Sequence, residues 1–223
     1  MLDKSVVVLE AVLAGAGTLT ELTERSGLAR ATAYRLAVAL EVHRLLDRDR
    51  EGRWRPGPRL AELAAAASAA DPLVLRAGPV LTQLRDQTGE SAQLYRRRGD
   101  LRICIASAER HSGLRDTVPV GAVLPLTAGS AAQILLAATP DDPLLAGAAF
   151  SARTLSQVRR RGWAHSSAER EPGVASVSAP VHAKNGAVVA AISVSGPLER
   201  LTRAAARLHA KAVIAAAGQL TLP

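Results

Sequence analysis

Between Gly173 and Gly196 the chain reads GVASVSAPVHAKNGAVVAAISVSG, two alternating runs about a central Asn185-Gly186. Asn-Gly is the strongest short-range signal for a two-residue hairpin turn, because both central positions of that turn take positive φ. Folding the runs about it sets Ser176 opposite Ser195 and Ser178 opposite Ser193. Side chains alternate along a strand, so these four hydroxyls share one face while Val177, Ala179, Ile192 and Val194 share the other. The apolar face must be buried. The serine face has two readings: a bed of hydroxyls that hydrogen-bonds a small polar ligand, each able to donate or accept, or a face that simply meets water.

A second hairpin is predicted from Ser91 to Arg97 and Arg102 to Ser107 around the turn Gly99-Asp100. Upstream the pattern changes from strand to helix. The Ala-rich run Ala61–Ala70, followed by Asp71-Pro72, separates the two parts. Alanine is the best helix former, so the run after Pro58 reads as a linker helix. The expected organisation is residues 1–57, a linker helix 58–70 and a sheet-bearing part 71–223.

In the first part, Asp3–Ala14 places apolar residues at helical spacing and Gly15 and Gly17 end the run. Thr18-Leu19-Thr20-Glu21 matches a capping box, in which threonine hydroxyl and glutamate each satisfy an otherwise unpaired backbone N–H. A short helix then runs to Ser26, Gly27 supplies a turn, and a third helix spans Arg30 to His43. At 100° per residue, Ala33, Leu36, Ala37 and Leu40 fall on one side of that helix, with Ala31, Tyr34, Arg35 and Val38 on the other.

Leu45–Arg48 and Arg53–Pro56 flank a turn at Glu51-Gly52, as a small hairpin would. Arg53 and Arg55 share one face of its second strand, and Trp54 takes the other. The order helix, helix, turn, helix, hairpin is a winged helix-turn-helix, whose third helix enters the major groove of double-stranded DNA while wing arginines meet the backbone or minor groove. The expected DNA-binding residues are Tyr34 and Arg35 on the third helix, Arg30 at its start, and Arg48, Arg50, Arg53 and Arg55 on the wing. Asp47, Asp49 and Glu51 dilute that wing, so a solvated charged hairpin is the other reading of it.

The formal charge of +8 does not carry this argument. Residues 1–70 hold ten Lys/Arg against nine Asp/Glu, whereas residues 71–223 hold eighteen against eleven. The surplus lies outside the expected DNA-binding part, so local placement must decide. With 48% apolar residues over 223 positions, the chain has material for real cores. Its one cysteine, Cys104, lies in an apolar run and is expected to be a buried thiol. The start, MLDKSVVVLEAVLAGAG, imitates a signal peptide only faintly, because Asp3 weakens its positive end and Glu10 interrupts its apolar segment. No other stretch approaches the ~20 apolar residues of a membrane span, so a cytoplasmic protein with no membrane association is expected.

The blocks SGLARATAYRLAVALEVHRLL, AGSAAQILLA, RRRGWA, EPGVASVSAPV and AAISVSGP follow one another as in the IclR family of bacterial transcription regulators, which this chain resembles over nearly its whole length. GESAQLYRRRGDLRICIASAER and SGLRDTVPVG resemble the actinobacterial members of that family that regulate amino-acid metabolism, leucine included. The resemblance implies an α+β protein: an N-terminal winged helix-turn-helix joined by a linker helix to a GAF-like antiparallel-sheet effector-binding domain. It implies a homodimer, or a dimer of dimers, on a palindromic operator near amino-acid biosynthesis genes, with no cofactor and no metal. Thr32 and Arg35 fall at the family's characteristic recognition-helix positions. Ser176, Ser193 and Ser195 fall where family members contact effectors, as does the turn Ala128-Gly129-Ser130 ahead of a helix Ala131–Ala138; Leu126 and Ser178 complete the candidate effector set.

Free N–H groups at the start of that helix would attract a ligand carboxylate, and Glu169 would meet an amino group. An α-amino acid satisfies both ends. Ser176 stands where many family members have cysteine, Gln133 where many have lysine, and HSSAERE replaces a more acidic stretch, so ligand identity does not carry over from other members. Pro140–Phe150 does not read as the helix the family would place there.

Catalytic parts are missing from the sequence. The five histidines are scattered without metal-ligand spacing, no Gly-x-Ser-x-Gly elbow occurs, and Gly15-Ala16-Gly17 has neither a preceding strand nor a third glycine. The competing class is a small-molecule sensor that acts through protein partners with weak DNA binding, a reading that the near-neutral first part keeps open.

Overall fold

The computed structural model describes residues 1–139 and 141–221, which divide into two compact units, Met1–Asp71 and Pro72–Pro223. In the first unit, helices α1 (Leu2–Leu13), α2 (Leu19–Ser26) and α3 (Arg30–Val42) precede a hairpin of β1 (Leu46–Arg48) and β2 (Trp54–Pro56), and α4 (Pro58–Ala69) follows. The start of α2 is fixed locally: the Thr18 hydroxyl accepts the Glu21 N–H at 3.2 Å, and the Glu21 carboxylate accepts the N–H groups of Thr18 and Gly17 at 2.9 Å each. Gly27, at φ 63°, ends that helix and turns the chain toward α3. Val8, Val12, Leu22, Ala33, Ala37, Leu40, Leu46 and Trp54 form one core, so the apolar start of the chain packs as α1. Gly57 has a separate reason to be glycine, since a Cβ there would run into the Arg44 carbonyl.

The second unit comprises α5 (Pro72–Thr88), β3 (Ser91–Arg98), β4 (Leu101–Ala108), β5 (Val123–Pro125), α6 (Ser130–Ala137), α7 (Ala152–Arg161), β6 (Ala164–Ser167), β7 (Val174–His182), β8 (Val188–Pro197) and α8 (Arg203–Leu220). The strands make one antiparallel sheet in the order β5-β4-β3-β8-β7-β6. On one face, Leu94, Val177, Ile192 and Val194 pack with Leu81 and Leu84 of α5 and Val213 and Leu220 of α8. On the other, Tyr95, Cys104, Ala164 and Ala191 pack with Ile134 and Leu136 of α6 and Leu155 and Val158 of α7. Of the segment 140–150, Pro140 lies outside the described residues; Pro143–Gly147 is a 3-10 helix capped by the Asp142 side chain, which accepts the Leu144 N–H at 3.1 Å.

The β7–β8 hairpin corrects one expectation while keeping its consequence. Gly186 N–H donates to the Ala183 carbonyl and Ala183 N–H to that of Ala187, so the loop holds three residues, 184–186, rather than two. Gly186 sits at φ 81°, as in a type I turn followed by a left-handed residue, and the Asn185 side chain accepts the Ala187 N–H at 3.0 Å. The three-residue loop pairs His182 with Val188, and a bulge beside it restores the offset, so Ser176 still faces Ser195 and Ser178 faces Ser193. A second bulge leaves Ile105 unpaired between Leu94↔Ala106 and Tyr95↔Cys104. Beyond it Cys104 and Arg102 turn to the α6 side of the sheet, whereas Ala106 and Ala108 face α5 and α8.

Candidate functional site

On α3, Ala33, Ala37 and Leu40 are buried, while Arg30, Tyr34 and Arg35 are exposed and Thr32 is half-buried. Among the described residues, neither Arg30 nor Arg35 makes an ion pair. The hairpin arginines divide. Trp54 is buried, and the Arg48 guanidinium stacks 3.7 Å above its ring while donating to Glu41 at 3.3 Å. Arg55 Nε donates to Asp47 at 3.1 Å, and that hydrogen bond holds the Asp47 carboxyl below the usual carboxylate range. Asp49 shapes the turn by accepting the N–H groups of Glu51 and Arg53 at 3.0 and 2.8 Å. Two of the three acids expected merely to dilute the wing, Asp47 and Asp49, thus build it. Arg50 is exposed at the tip, and the Arg53 side chain lies against Gly17.

The serine face of the second unit is extended by cross-strand pairing into two polar rows. Ser166, Ser176, Ser195 and Ser91 are successive partners across β6, β7, β8 and β3; Ser178, Ser193, Gln93 and Ser107 are successive partners across β7, β8, β3 and β4. The start of α6 lies over them. Ser130 Oγ is 2.7 Å from both Ser176 Oγ and Ser178 Oγ; Ser166 Oγ is 2.8 Å from Ser176 Oγ, and Ser178 Oγ donates to Ser193 Oγ at 2.9 Å. Ser195 donates to Gln93 Oε1 at 3.1 Å. Ser130, Ser178, Ser193 and Ser195 are all buried, which overturns the reading of a face that meets water.

Beside this network is a small cavity of about 20 Å³, lined by Tyr95, Arg102, Ser130, Ser166, Ser176 and Ser195 together with the Asp116–Arg170 pair. That volume holds about one water molecule. Gly129 adopts φ 96°, a conformation open essentially to glycine, and a Cβ there would stand 3.2 Å from the Arg102 guanidinium. Ala128 offers its carbonyl to Arg102 at 2.9 Å, and Leu126 is wholly buried.

Two expected roles change. Gly129 N–H donates to Glu169 Oε2 at 3.0 Å, and Ser130 N–H donates to Ser166 Oγ at 3.1 Å, so the helix start expected to hold a ligand carboxylate is filled from within. Glu169, expected to meet a ligand amino group, is committed there and to Gln133, whose Nε2 donates to Oε1 at 2.8 Å. Sequence reasoning missed Ser166, Gln93, Tyr95, Arg102, Asp116 and Arg170. For Arg102 a signal existed: an arginine in step with Cys104 on an otherwise apolar strand. Burial lowers the Arg102 pKa to about 10 and raises that of the Cys104 thiol to about 11. Among the described residues no cluster of metal-ligating side chains occurs, and no helix is long and apolar enough to cross a membrane.

Residues 1–50 match the IclR helix-turn-helix domain, and residues 65–148 and 149–222 match the bacterial transcriptional regulator IclR C-terminal domain. The chain is 32% identical over 238 residues to the HTH-type transcriptional regulator BhcR of Paracoccus denitrificans, a match covering 99% of this chain and 85% of that protein. An IclR transcriptional regulator from Alicyclobacillus acidocaldarius has a similar crystal structure, with a TM-score of 0.87 at 26% identity over 99% of this chain and 96% of that one. An IclR homologue from Microbacterium hydrocarbonoxydans, complexed with 4-hydroxybenzoate, shares the fold with a TM-score of 0.82 at 23% identity over 98% of each chain.

Proposed function

The chain belongs to the IclR family of bacterial transcriptional regulators, DNA-binding proteins with an effector-binding domain, and we propose that a small polar metabolite held over its serine face sets its affinity for a palindromic operator. The observation that carries this reading is the buried hydroxyl network that lines a cavity between the start of α6 and the sheet. Buried polar groups are retained where they are satisfied and put to use. The likeness of GESAQLYRRRGDLRICIASAER to regulators of amino-acid metabolism favours an amino acid or its oxo-acid precursor, with leucine biosynthesis genes as targets.

On the DNA, Arg35 and Thr32 read bases, with Tyr34 beside them, while Arg30 and the wing arginines Arg48, Arg50, Arg53 and Arg55 meet phosphate. A homodimer, alone or paired as a dimer of dimers, presents two recognition helices. Half-sites on one duplex face lie about 34 to 36 Å apart, so an effector that favours one dimer geometry over another changes the fit. The experiment is selection of bound duplexes from a random pool, with and without L-leucine and 4-methyl-2-oxopentanoate. A two-fold symmetric site whose enrichment shifts with one of them supports the proposal. No enrichment at low salt overturns it in favour of a sensor that works through protein partners.

A further inference from the structure

The positive surplus of the chain lies after residue 70, eighteen Lys/Arg against eleven Asp/Glu, outside the DNA-binding part. Part of it converges at one side of the sheet. β6 is an edge strand, and beyond it the end of α7 and the start of α8 bound a cleft of about 570 Å³. That volume lies within the range of small-molecule sites, unlike the cavity at the serine network. Arg161 of α7 lines it, as do Arg203 and Arg207, which stand one turn apart on the same side of α8. Arg161 is held in place: its Nε donates to the Trp163 carbonyl at 2.5 Å, and its guanidinium lies 4.2 Å from the centre of the Trp163 ring. Arg203 is the first residue of α8, at the helix end that favours acids, yet that first turn carries none. Burial lowers the pKa of Arg161 and of His165, and the nearby charge of Arg203 lowers both further. None of the three arginines makes an ion pair among the described residues.

The carboxylate that lines this cleft is that of Glu169, and its oxygens are taken by Gly129 N–H at 3.0 Å and Gln133 Nε2 at 2.8 Å. Three guanidinium groups therefore face one committed acid. A monocarboxylate neutralises only one of them. A phosphate monoester brings about −1.5 to −2 charge near neutral pH and three acceptor oxygens, enough for several guanidinium donors at once. The wall makes a second demand: Gln133 is wholly buried, and its Oε1 has no donor. A buried acceptor left so is costly, and a hydroxyl set apart from the phosphoryl group would satisfy it. We propose that this cleft is a second ligand site, separate from the serine cavity, and that it takes a small hydroxyl-bearing phosphate monoester of the sugar-phosphate kind. Arg161, Arg203 and Arg207 hold the phosphoryl group, and Gln133 Oε1 accepts from a hydroxyl. The site does not depend on what the serine cavity holds. It does share a wall with it, because Glu169 holds the N–H of Gly129, a residue that lines that cavity.

The test is calorimetry on the full-length protein with glucose 6-phosphate, glycerol 3-phosphate, glucose and inorganic phosphate. The better of the two esters is expected to bind at least about tenfold more tightly than glucose, which lacks the charge, and than inorganic phosphate, which has no separate hydroxyl for Gln133. Arg203→Ala/Arg207→Ala should weaken that ester by about tenfold or more and leave thermal melting unmoved, since both side chains are exposed and unpaired. Arg203→Lys/Arg207→Lys, which keeps the charge, should retain part of the affinity. Ser176→Ala/Ser195→Ala should leave ester binding unchanged; its loss there would put the ligand in the serine cavity and overturn the second site. Failure of both esters, equal binding of glucose, or ester binding that survives Arg203→Ala/Arg207→Ala overturns it as well. Inorganic phosphate binding as tightly as the ester overturns the role given to Gln133. If both esters fail and a duplex of unrelated sequence binds Arg203→Ala/Arg207→Ala more weakly than the wild type, the arginines meet a nucleic-acid backbone and the proposal falls.

Discussion

The arginines of the β1–β2 hairpin and the arginine of β4 carry the same charge in opposite circumstances. Arg55 is exposed and rests on Asp47, and Arg48 rests on Glu41 and the face of Trp54. Arg102 is buried, with the carbonyls of Pro125 and Ala128 and the ring of Tyr95 about its guanidinium. Surface pairs of the first kind contribute little, so exchanging Asp47 for a phosphate changes the free energy only modestly and DNA affinity accumulates from many such exchanges. The second kind is a single charge under cover, met by carbonyl dipoles and an aromatic face rather than by a carboxylate. One region offers its charge to solvent at many points, and the other keeps a single charge inside the fold.

The largest expected effect tests the rigidity under the first grip. Trp54→Ala should cost about 3 to 5 kcal/mol of stability in the first unit, by loss of a buried aromatic that also supports Arg48, seen as lost amide-exchange protection over residues 1–71. Gly129→Ala tests the second region: its backbone conformation excludes a side chain, so it should cost on the order of 1 to 3 kcal/mol in thermal melts and weaken effector binding. Arg35→Ala should cost on the order of 1 to 3 kcal/mol of operator affinity and relax the preference at one base pair; uniform weakening on every sequence would show a phosphate contact instead. The smallest change is Asp47→Asn. It should leave melting unmoved yet tighten binding to any duplex at low salt, because Arg55 no longer has an internal competitor. Equal affinities would mean that Arg55 stays clear of the DNA.

What the sequence made legible is what short-range geometry determines. The Thr18–Glu21 capping box, the left-handed Gly27, the buried Ala33–Ala37–Leu40 side of α3 and the apolar side of Trp54 all follow from spacing alone. The pairing of Ser176 with Ser195 follows too, although the loop producing it has three residues and a compensating bulge that no local pattern announces. Burial of those serines was not legible, because it depends on α6, whose position is set by packing more than thirty residues away in the chain. Glu169 was misread for the same reason. An acid near a helix start can greet a ligand or cap the helix, and only the distance to Gly129 N–H decides which. Arg102 went unassigned because the bulge at Ile105 breaks the parity that strand reading relies on.

Each hydroxyl of the serine network has one proton to give, and Ser166, Ser176, Ser130, Ser178 and Ser193 stand in a line with every neighbour within hydrogen-bond reach. Ser130 donates to Ser176 and Ser178 donates to Ser193, so donation runs outward from the middle of the line and the two halves meet at the Ser130–Ser178 contact. A proton drawn from Ser130 or Ser178 into that middle contact must leave an outer hydroxyl without its donor, so the first turn of α6 and the sheet beneath it share one proton account.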